Sequence, residues 1–548
     1  VSSSEAQPWA ALYPKDLPVS FESRSETALD VFQHAVDERP DAPAIHFFDS
    51  TLSFAEADAR AHALAAALSE LGVAPGDRVG LFLQNDPQFV IGLNACWLDG
   101  AIAVALNPML KPKELEFQLV DAEVSVVICL ESLWAAVAEV GSRTLVRDVI
   151  VCSEFDYLDR AVASLGERAA IATPGALGFE ELLRRHAGDR VGGADVEAGD
   201  VALLCYTSGT TGPPKAAMLT HRNLAYAEVY EHAMAVGAED VIVGGAPLFH
   251  VTGITGHIML SRLCAAPLVL FHRFEAGEYL RMVERWGGTH SILALTAYIA
   301  ILNHADFERR DISSLRRVFT GGAPVSPAVV DRFEEATGQY MHNTYGMTET
   351  SCATHIVPFG MRSPIDPATG AFAVGLPAPN VEAKIVDLAG GEELPPGEIG
   401  EINSMGPTVV PGYWNNNGQT AHALRDGFMH TGDVGVRDQE GWFYLVDRAK
   451  DMIIASGYKV WPREVEDVIY RHSAVREVAV IGVENDYRGE TVKAFVSLKP
   501  GAEAAPEEIV AHCRAAMAAY KYPRSVEIVD ELPKTVTGKL KRRDLREN

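Results

Sequence analysis

A chain of 548 residues, 48% hydrophobic and 22% charged, has material for roughly three or four domain-sized units with large cores. Its formal net charge of −27 excludes bulk binding to nucleic acid, and any anionic substrate must be met by local cations or amide dipoles. No apolar run nears the roughly 18 residues of a bilayer span, VSSSEAQPWAALYP has no leader pattern, and seven cysteines without a CxxC pair suit free thiols in a reducing cytoplasm.

In chain order, Ser53 and Glu56 stand at capping-box spacing, and Leu64, Leu68 and Leu71 follow, so a helix is expected to end at Gly72. APGDRVGLFLQN then supplies a turn and an apolar strand. This alternation of helix and strand is the pattern of parallel α/β sheets. Val201 to Leu204 reads as a buried strand, and the stretch after it, YTSGTTGPPK, is almost entirely hydroxyl, glycine and proline before one lysine, Lys215. Glycines let backbone amides point into a common hollow and hydroxyls add donors, so the stretch reads as an anion cradle. Its Gly209-x-x-Gly212-x-x-Lys215 spacing is not that of a Walker loop. From about Ser351 to Val446, short segments broken by Pro, Gly and Asn predict a compact antiparallel β unit. Beyond VDRAKD the chain turns α+β. Pro462 opens a helix carrying Val465, Val468 and Ile469, strands are expected near 478–483 and 492–498, and a second helix over about 506–520. Two domains are expected, 1–449 and 450–548.

The loop Tyr206–Lys215 resembles the signature of the acyl-adenylate-forming (AMP-binding) superfamily, which includes acyl-CoA synthetases, firefly-type luciferases and peptide-synthetase adenylation domains. Further motifs follow in the family's order: PLFHVTG (247–253), TGGAP (320–324), YGMTET (345–350), TGD (431–433), DRAKDMIIASGYKVWPREVE (447–466) and LPKTVTGK (532–539). The resemblance implies an α/β fold, with a large N-terminal part of parallel sheets plus a small β-barrel-like unit, and a small mobile α+β domain. It also implies a reaction in two halves. A carboxylate attacks the α-phosphate of ATP, giving an acyl-adenylate and pyrophosphate, and the thiol of coenzyme A then displaces AMP.

By the same resemblance, Thr207, Ser208, Gly209, Thr210, Thr211, Gly212 and Lys215 cradle the β- and γ-phosphates. Glu349 holds Mg2+, a hard cation that prefers oxygen. Asp433 and Arg448 take the ribose, Tyr345 offers its face to adenine and Asn343 its polar edge. Gly322, Ala323 and Pro324 admit the nucleotide, with Thr344, Gly346 and Thr348 beside it. Lys539 is the catalytic choice, bridging the substrate carboxylate and the departing oxygen, with Lys534 a near decoy. Lys450 is the hinge about which the small domain turns, presenting Gly457 and Tyr458 to a pantetheine tunnel. His250 gates the acyl pocket or contacts the carboxylate. Thr252, Gly253, Gly256 and Gly321 line that pocket, and three small residues following His250 imply a depth suited to a large acid.

The chain departs from the family at Ala216, where glycine is common, at Met429-His430 before TGD, and at LALTAYIA (293–300), which lacks a frequent proline pair. The leading expectation is an ATP-dependent acid–CoA ligase for a bulky hydrophobic acid: long-chain fatty, aryl or polycyclic. PLFHVTG carries no aspartate to hold an ammonium group, which disfavours an amino-acid adenylation domain. A carrier-protein loader, a luciferase-like relative and a non-catalytic scaffold are the alternatives. Small-molecule partners, no nucleic acid, no transmembrane segment, cytoplasmic location and room for a homodimer complete the expectations.

Overall fold

The computed structural model describes residues 7–546 apart from 169, 208–212, 324, 369, 449–450, 456–457, 486–488 and 535–539. The expected first helix forms over Phe54–Glu70 and its cap is reciprocal. The Glu56 amide donates to the Ser53 hydroxyl at 3.1 Å, and the Ser53 amide to Glu56 Oε2 at 2.8 Å. Two orphan donors are thereby satisfied at the entry of the helix. The next helix, Pro87–Leu98, is buried along its whole length, as its nearly all-apolar sequence requires. Its Trp97 indole donates to Ala202 O at 2.9 Å, which pins the helix to the strand Val201–Thr207.

That strand belongs to a seven-stranded sheet, parallel except for its last pair, in which Val201–Thr207 folds back on Lys215–Thr220. Such runs as VSVVICL and VALLC are apolar throughout because both faces of a parallel sheet are covered. A fourteen-stranded sheet continues the fold. Its parallel part carries His290–Leu293, Arg317–Gly321 and Met341–Gly346 side by side. The antiparallel unit expected after Ser351 is hydrogen-bonded onto this sheet: Met341–Gly346 pairs with Ala353–Ile356, that strand with Ala373–Pro377, and so on to Phe443–Arg448, Phe428–Arg437 and Gly400–Met405. Asn85 ties the two sheets together. Its amide donates to Ala246 O at 3.0 Å and its Oδ1 accepts from Leu248 N at 2.8 Å, fixing the start of PLFH.

The last hundred residues form their own five-stranded sheet with a separate core that includes Val465, Ile469, Val478, Val496 and Cys513. The helix Pro462–Tyr470 forms as expected, whereas the second ends at Ala516. All seven cysteines are buried and free. Among the described residues no helix is long and apolar enough to cross a membrane.

Candidate active site

The hairpin in which the anion cradle is expected is closed by the pair Thr207 and Lys215, so the lysine stands at the start of the returning strand. Tyr206 roots the hairpin, its hydroxyl donating to Asp121 Oδ2 at 2.7 Å. A third strand-like segment lies along Lys215–Thr220: Met218 N donates to Gly412 O at 3.0 Å and Trp414 N to Ala216 O at 2.9 Å. Tyr413, between them, reaches into the site. Lys215 Nζ lies 4.8 Å from the centre of the Tyr413 ring, and the Tyr413 hydroxyl donates to Glu349 Oε1 at 2.7 Å. Glu349 is 7% exposed and, among the described residues, has no cationic partner. Burial, then the Glu349 charge, push the Tyr413 phenol far above its ordinary range, so it stays a donor.

The residues expected to meet the nucleoside converge on the strand Met341–Gly346. The Tyr345 hydroxyl donates to Asp433 Oδ2 at 2.9 Å, and register sets Asp433 directly opposite Arg448. The Asn343 side-chain nitrogen donates to Ala373 O at 3.0 Å, which joins two strands and leaves its second N–H and its Oδ1 uncommitted by that bond. The Thr344 hydroxyl likewise donates to Thr320 O at 3.1 Å. Gly322, in the left-handed region at φ +74°, and Ala323 form the turn after Arg317–Gly321, and Gly346 and Thr348 lead into the short helical turn that holds Glu349.

Among the residues expected to border the acid, His250 caps a turn, Nδ1 accepting from Thr252 N at 3.4 Å. The helix beyond changes to π geometry over Ile254–Met259. Thr252 and Gly256 still meet across this junction, since a Cβ on Gly256 would lie 3.8 Å from Thr252 Cγ2 and 3.2 Å from Ile292 Cγ2. The Thr255 hydroxyl donates to Ser351 O at 3.0 Å, binding this helix to the Glu349 turn. Gly253 and Gly321 have a different reason for being small. A side chain on Gly253 would strike the Pro247 carbonyl, and one on Gly321 would strike Thr344.

Several expected site residues lie outside the described ones: Ser208, Gly209, Thr210, Thr211, Gly212, Pro324, Lys450, Gly457 and Lys539; Arg448 and Tyr458 are described as backbone alone. An isolated bridge between Lys534 and Leu540 brackets 535–539, and Lys534 is paired with Glu477 at 2.6 Å.

The family description "AMP-binding enzyme" matches residues 32–414, and "AMP-binding enzyme C-terminal domain" matches 464–539. The chain belongs to the AMP-binding enzyme family. Its chemistry is that of an AMP-forming acid–thiol ligase. The long-chain-fatty-acid–CoA ligase of Bacillus subtilis (strain 168) is 37% identical over 99% of this chain and 98% of its own length. The feruloyl-CoA synthase of Amycolatopsis sp is 35% identical over 92% and 96%. Among solved structures, the anthranilate CoA ligase AuaEII in complex with anthranoyl-AMP superposes with a TM-score of 0.86 at 30% identity, covering 97% of this chain and 98% of that one.

Within this AMP-binding enzyme, sequence reasoning missed Tyr413, Gln419 and Glu401. Glu401 Oε2 lies 2.9 Å from His430 Nδ1 and Oε1 accepts from Gly432 N at 2.8 Å, so it shapes the TGD turn. The basic residue missing before TGD is thus replaced by a histidine engaged within the sheet. No local spacing marks Tyr413, whose partner Glu349 is 64 residues away.

Proposed function

We propose that the chain is an ATP-dependent acid–CoA ligase that activates a bulky, largely apolar carboxylic acid as its adenylate and passes the acyl group to coenzyme A, releasing AMP. The observation that carries this reading is the meeting of Lys215 and Glu349 across one tyrosine at the mouth of the hairpin. One cation and one buried carboxylate at a glycine-rich turn are what a triphosphate and its metal need in a protein whose own field is negative.

In this scheme Lys215 and the loop hydroxyls hold the β- and γ-phosphates while the carboxylate attacks the α-phosphorus and pyrophosphate departs. Glu349 suits Mg2+, which takes few protein ligands and the rest from phosphates and water. No cluster of three or more His, Cys, Asp or Glu stands together among the described residues. When bound, the metal neutralises charge among the phosphate oxygens. Asp433 and Arg448 hold the ribose, Tyr345 flanks the base, and Lys539 stabilises the charge developing at the substrate carboxylate. The last hundred residues turn about Lys450 between the two half-reactions, bringing Gly457 and Tyr458 toward the pantetheine arm. His250, Thr252 and Gly256 border the acid.

The preference for a bulky apolar acid draws on the small residues at 252 and 256 and on relatives named for long-chain fatty, feruloyl and anthranilate substrates. Pyrophosphate release is measured over a panel of short, long-chain and aryl acids, with and without coenzyme A. Acid-dependent release, greatest for large acids, with thioester formed only when coenzyme A is present, is the expected result. Release favouring acetate or butyrate removes the bulky-acid reading, and adenylate formation without thioester turns the assignment toward a carrier-protein loader.

A further inference from the structure

Among the described residues Lys215 has two neighbours that hold it weakly. Its ammonium donates to Gln419 Oε1 at 2.8 Å and faces the Tyr413 ring at 4.8 Å, and neither group carries a negative charge. A neutral amide and a π face bind a cation far less strongly than a phosphate oxygen does. Gln419 occupies the third position of the helix Asn417–Ala423, where a glutamine side chain often reaches back to cap the helix. Here it does not. The Asn416 amide donates to Tyr413 O at 3.3 Å, and Gln419 uses its side chain on Lys215 instead. The Gln419 backbone amide donates to Asn416 Oδ1 at 3.1 Å, which fixes the turn that aims it. Tyr413 N donates to Thr420 Oγ1 at 2.9 Å, so the same short segment also sets the tyrosine.

We propose that Gln419 is an internal competitor for the phosphate-binding lysine, and that Tyr413 is a positioning residue that couples Lys215 to the metal-facing carboxylate Glu349. The inference rests on the ligase reading, in which Lys215 meets the β- and γ-phosphates. To engage a triphosphate, Lys215 exchanges the Gln419 amide oxygen for phosphate oxygen, with the tyrosine ring beneath it. The Tyr413 hydroxyl occupies Glu349 Oε1, which orients the carboxylate toward the metal. Gln419 therefore tunes nucleotide affinity alone, whereas Tyr413 acts on the response to magnesium.

The test is calorimetric titration of ATP and of AMP into the full chain, without acid or coenzyme A. Gln419→Ala removes the competitor and is expected to tighten ATP about 2- to 5-fold, the range of an exposed polar pair. Gln419→Glu adds a charge that retains Lys215 and is expected to weaken ATP about 3- to 10-fold. A carboxylate at the third helical position favours the helix, so this variant folds. AMP, which lacks the outer phosphates, keeps its affinity within about twofold in both. Tyr413→Phe keeps the ring and is expected to raise the Mg2+ concentration giving half-maximal ATP binding about 3- to 10-fold. Unchanged or weaker ATP binding in Gln419→Ala overturns the competitor role, and an unchanged magnesium response in Tyr413→Phe overturns the coupling. A folded wild-type chain that binds neither nucleotide overturns the ligase reading itself.

Discussion

Arg542 and Lys215 are cations far apart in the sequence, and the fold surrounds them differently. Arg542 is met by charge from three sides. It spans Glu466 at 2.8 and 2.9 Å and lies 3.5 Å from both Asp447 and Asp451. Burial works against its charge, but Glu466 and then Asp447 outweigh it and hold the guanidinium well above its ordinary value. Glu466 also accepts from Val480 N at 2.8 Å, so the cluster knits helix to strand within the small unit. Among the described residues Lys215 has only an amide and an aromatic face, and Glu349, one phenol away, has no cation at all. Saturated charge holds structure together; charge left short of partners is available to a substrate.

The largest expected effect breaks the saturated cluster. Arg542→Ala leaves buried carboxylates uncompensated and should lower the stability of the last hundred residues by about 3–5 kcal/mol. Urea unfolding of the full chain reads this, with ATP affinity unchanged within about a factor of two. Loss of both together would mean that the two clusters are one cooperative unit.

Glu349→Gln is the opposite experiment. It removes a charge and little volume, so pyrophosphate release should fall about 100- to 1,000-fold. Stability should hold or rise, because functional sites are commonly less stable than they need be. A matching loss of stability would make Glu349 a structural carboxylate.

Gly256→Leu tests the acyl wall. Ile292 already stands 3.2 Å from where a Cβ would sit, so a leucine has to displace it or enter the pocket. Overpacking of about 1–3 kcal/mol, or about 5- to 150-fold, should fall on large acids and spare short ones in a kcat/KM series. A uniform loss across all acids would assign the residue to folding.

The smallest effect concerns Lys534. Its pairing with Glu477 at 2.6 Å makes it a structural lysine, so Lys534→Ala should cost about 1 kcal/mol of stability and leave adenylation intact. Adenylation lost in Lys534→Ala and kept in Lys539→Ala would reverse the choice between the two lysines.

What was legible beforehand was whatever is written locally. The Ser53–Glu56 cap, the strand before the cradle, the helix opening at Pro462 and the change to antiparallel strands after Ser351 all depend on neighbours a few residues apart. The site itself was legible as a set of motifs, but not as contacts. Gln419 lies 204 residues from Lys215 in sequence, and no periodicity relates them. Gly253 read as a pocket residue, and the closeness of the Pro247 carbonyl, which bars any side chain there, was not legible. Asn343 read as a base contact, and the bond from its amide nitrogen to Ala373 was not legible beside that reading. In each case the partner was set by tertiary packing.

The distribution of the buried thiols gives the molecule a built-in pair of reporters. Six of the seven cysteines, from Cys96 to Cys352, lie in the large part, and Cys513 lies alone in the core of the small unit. A thiol inside a packed core reacts with an alkylating reagent only when its surroundings open. Mass-resolved alkylation of the native protein would therefore time the loosening of each part separately, Cys513 for the last hundred residues and the other six for the rest, with no engineered label.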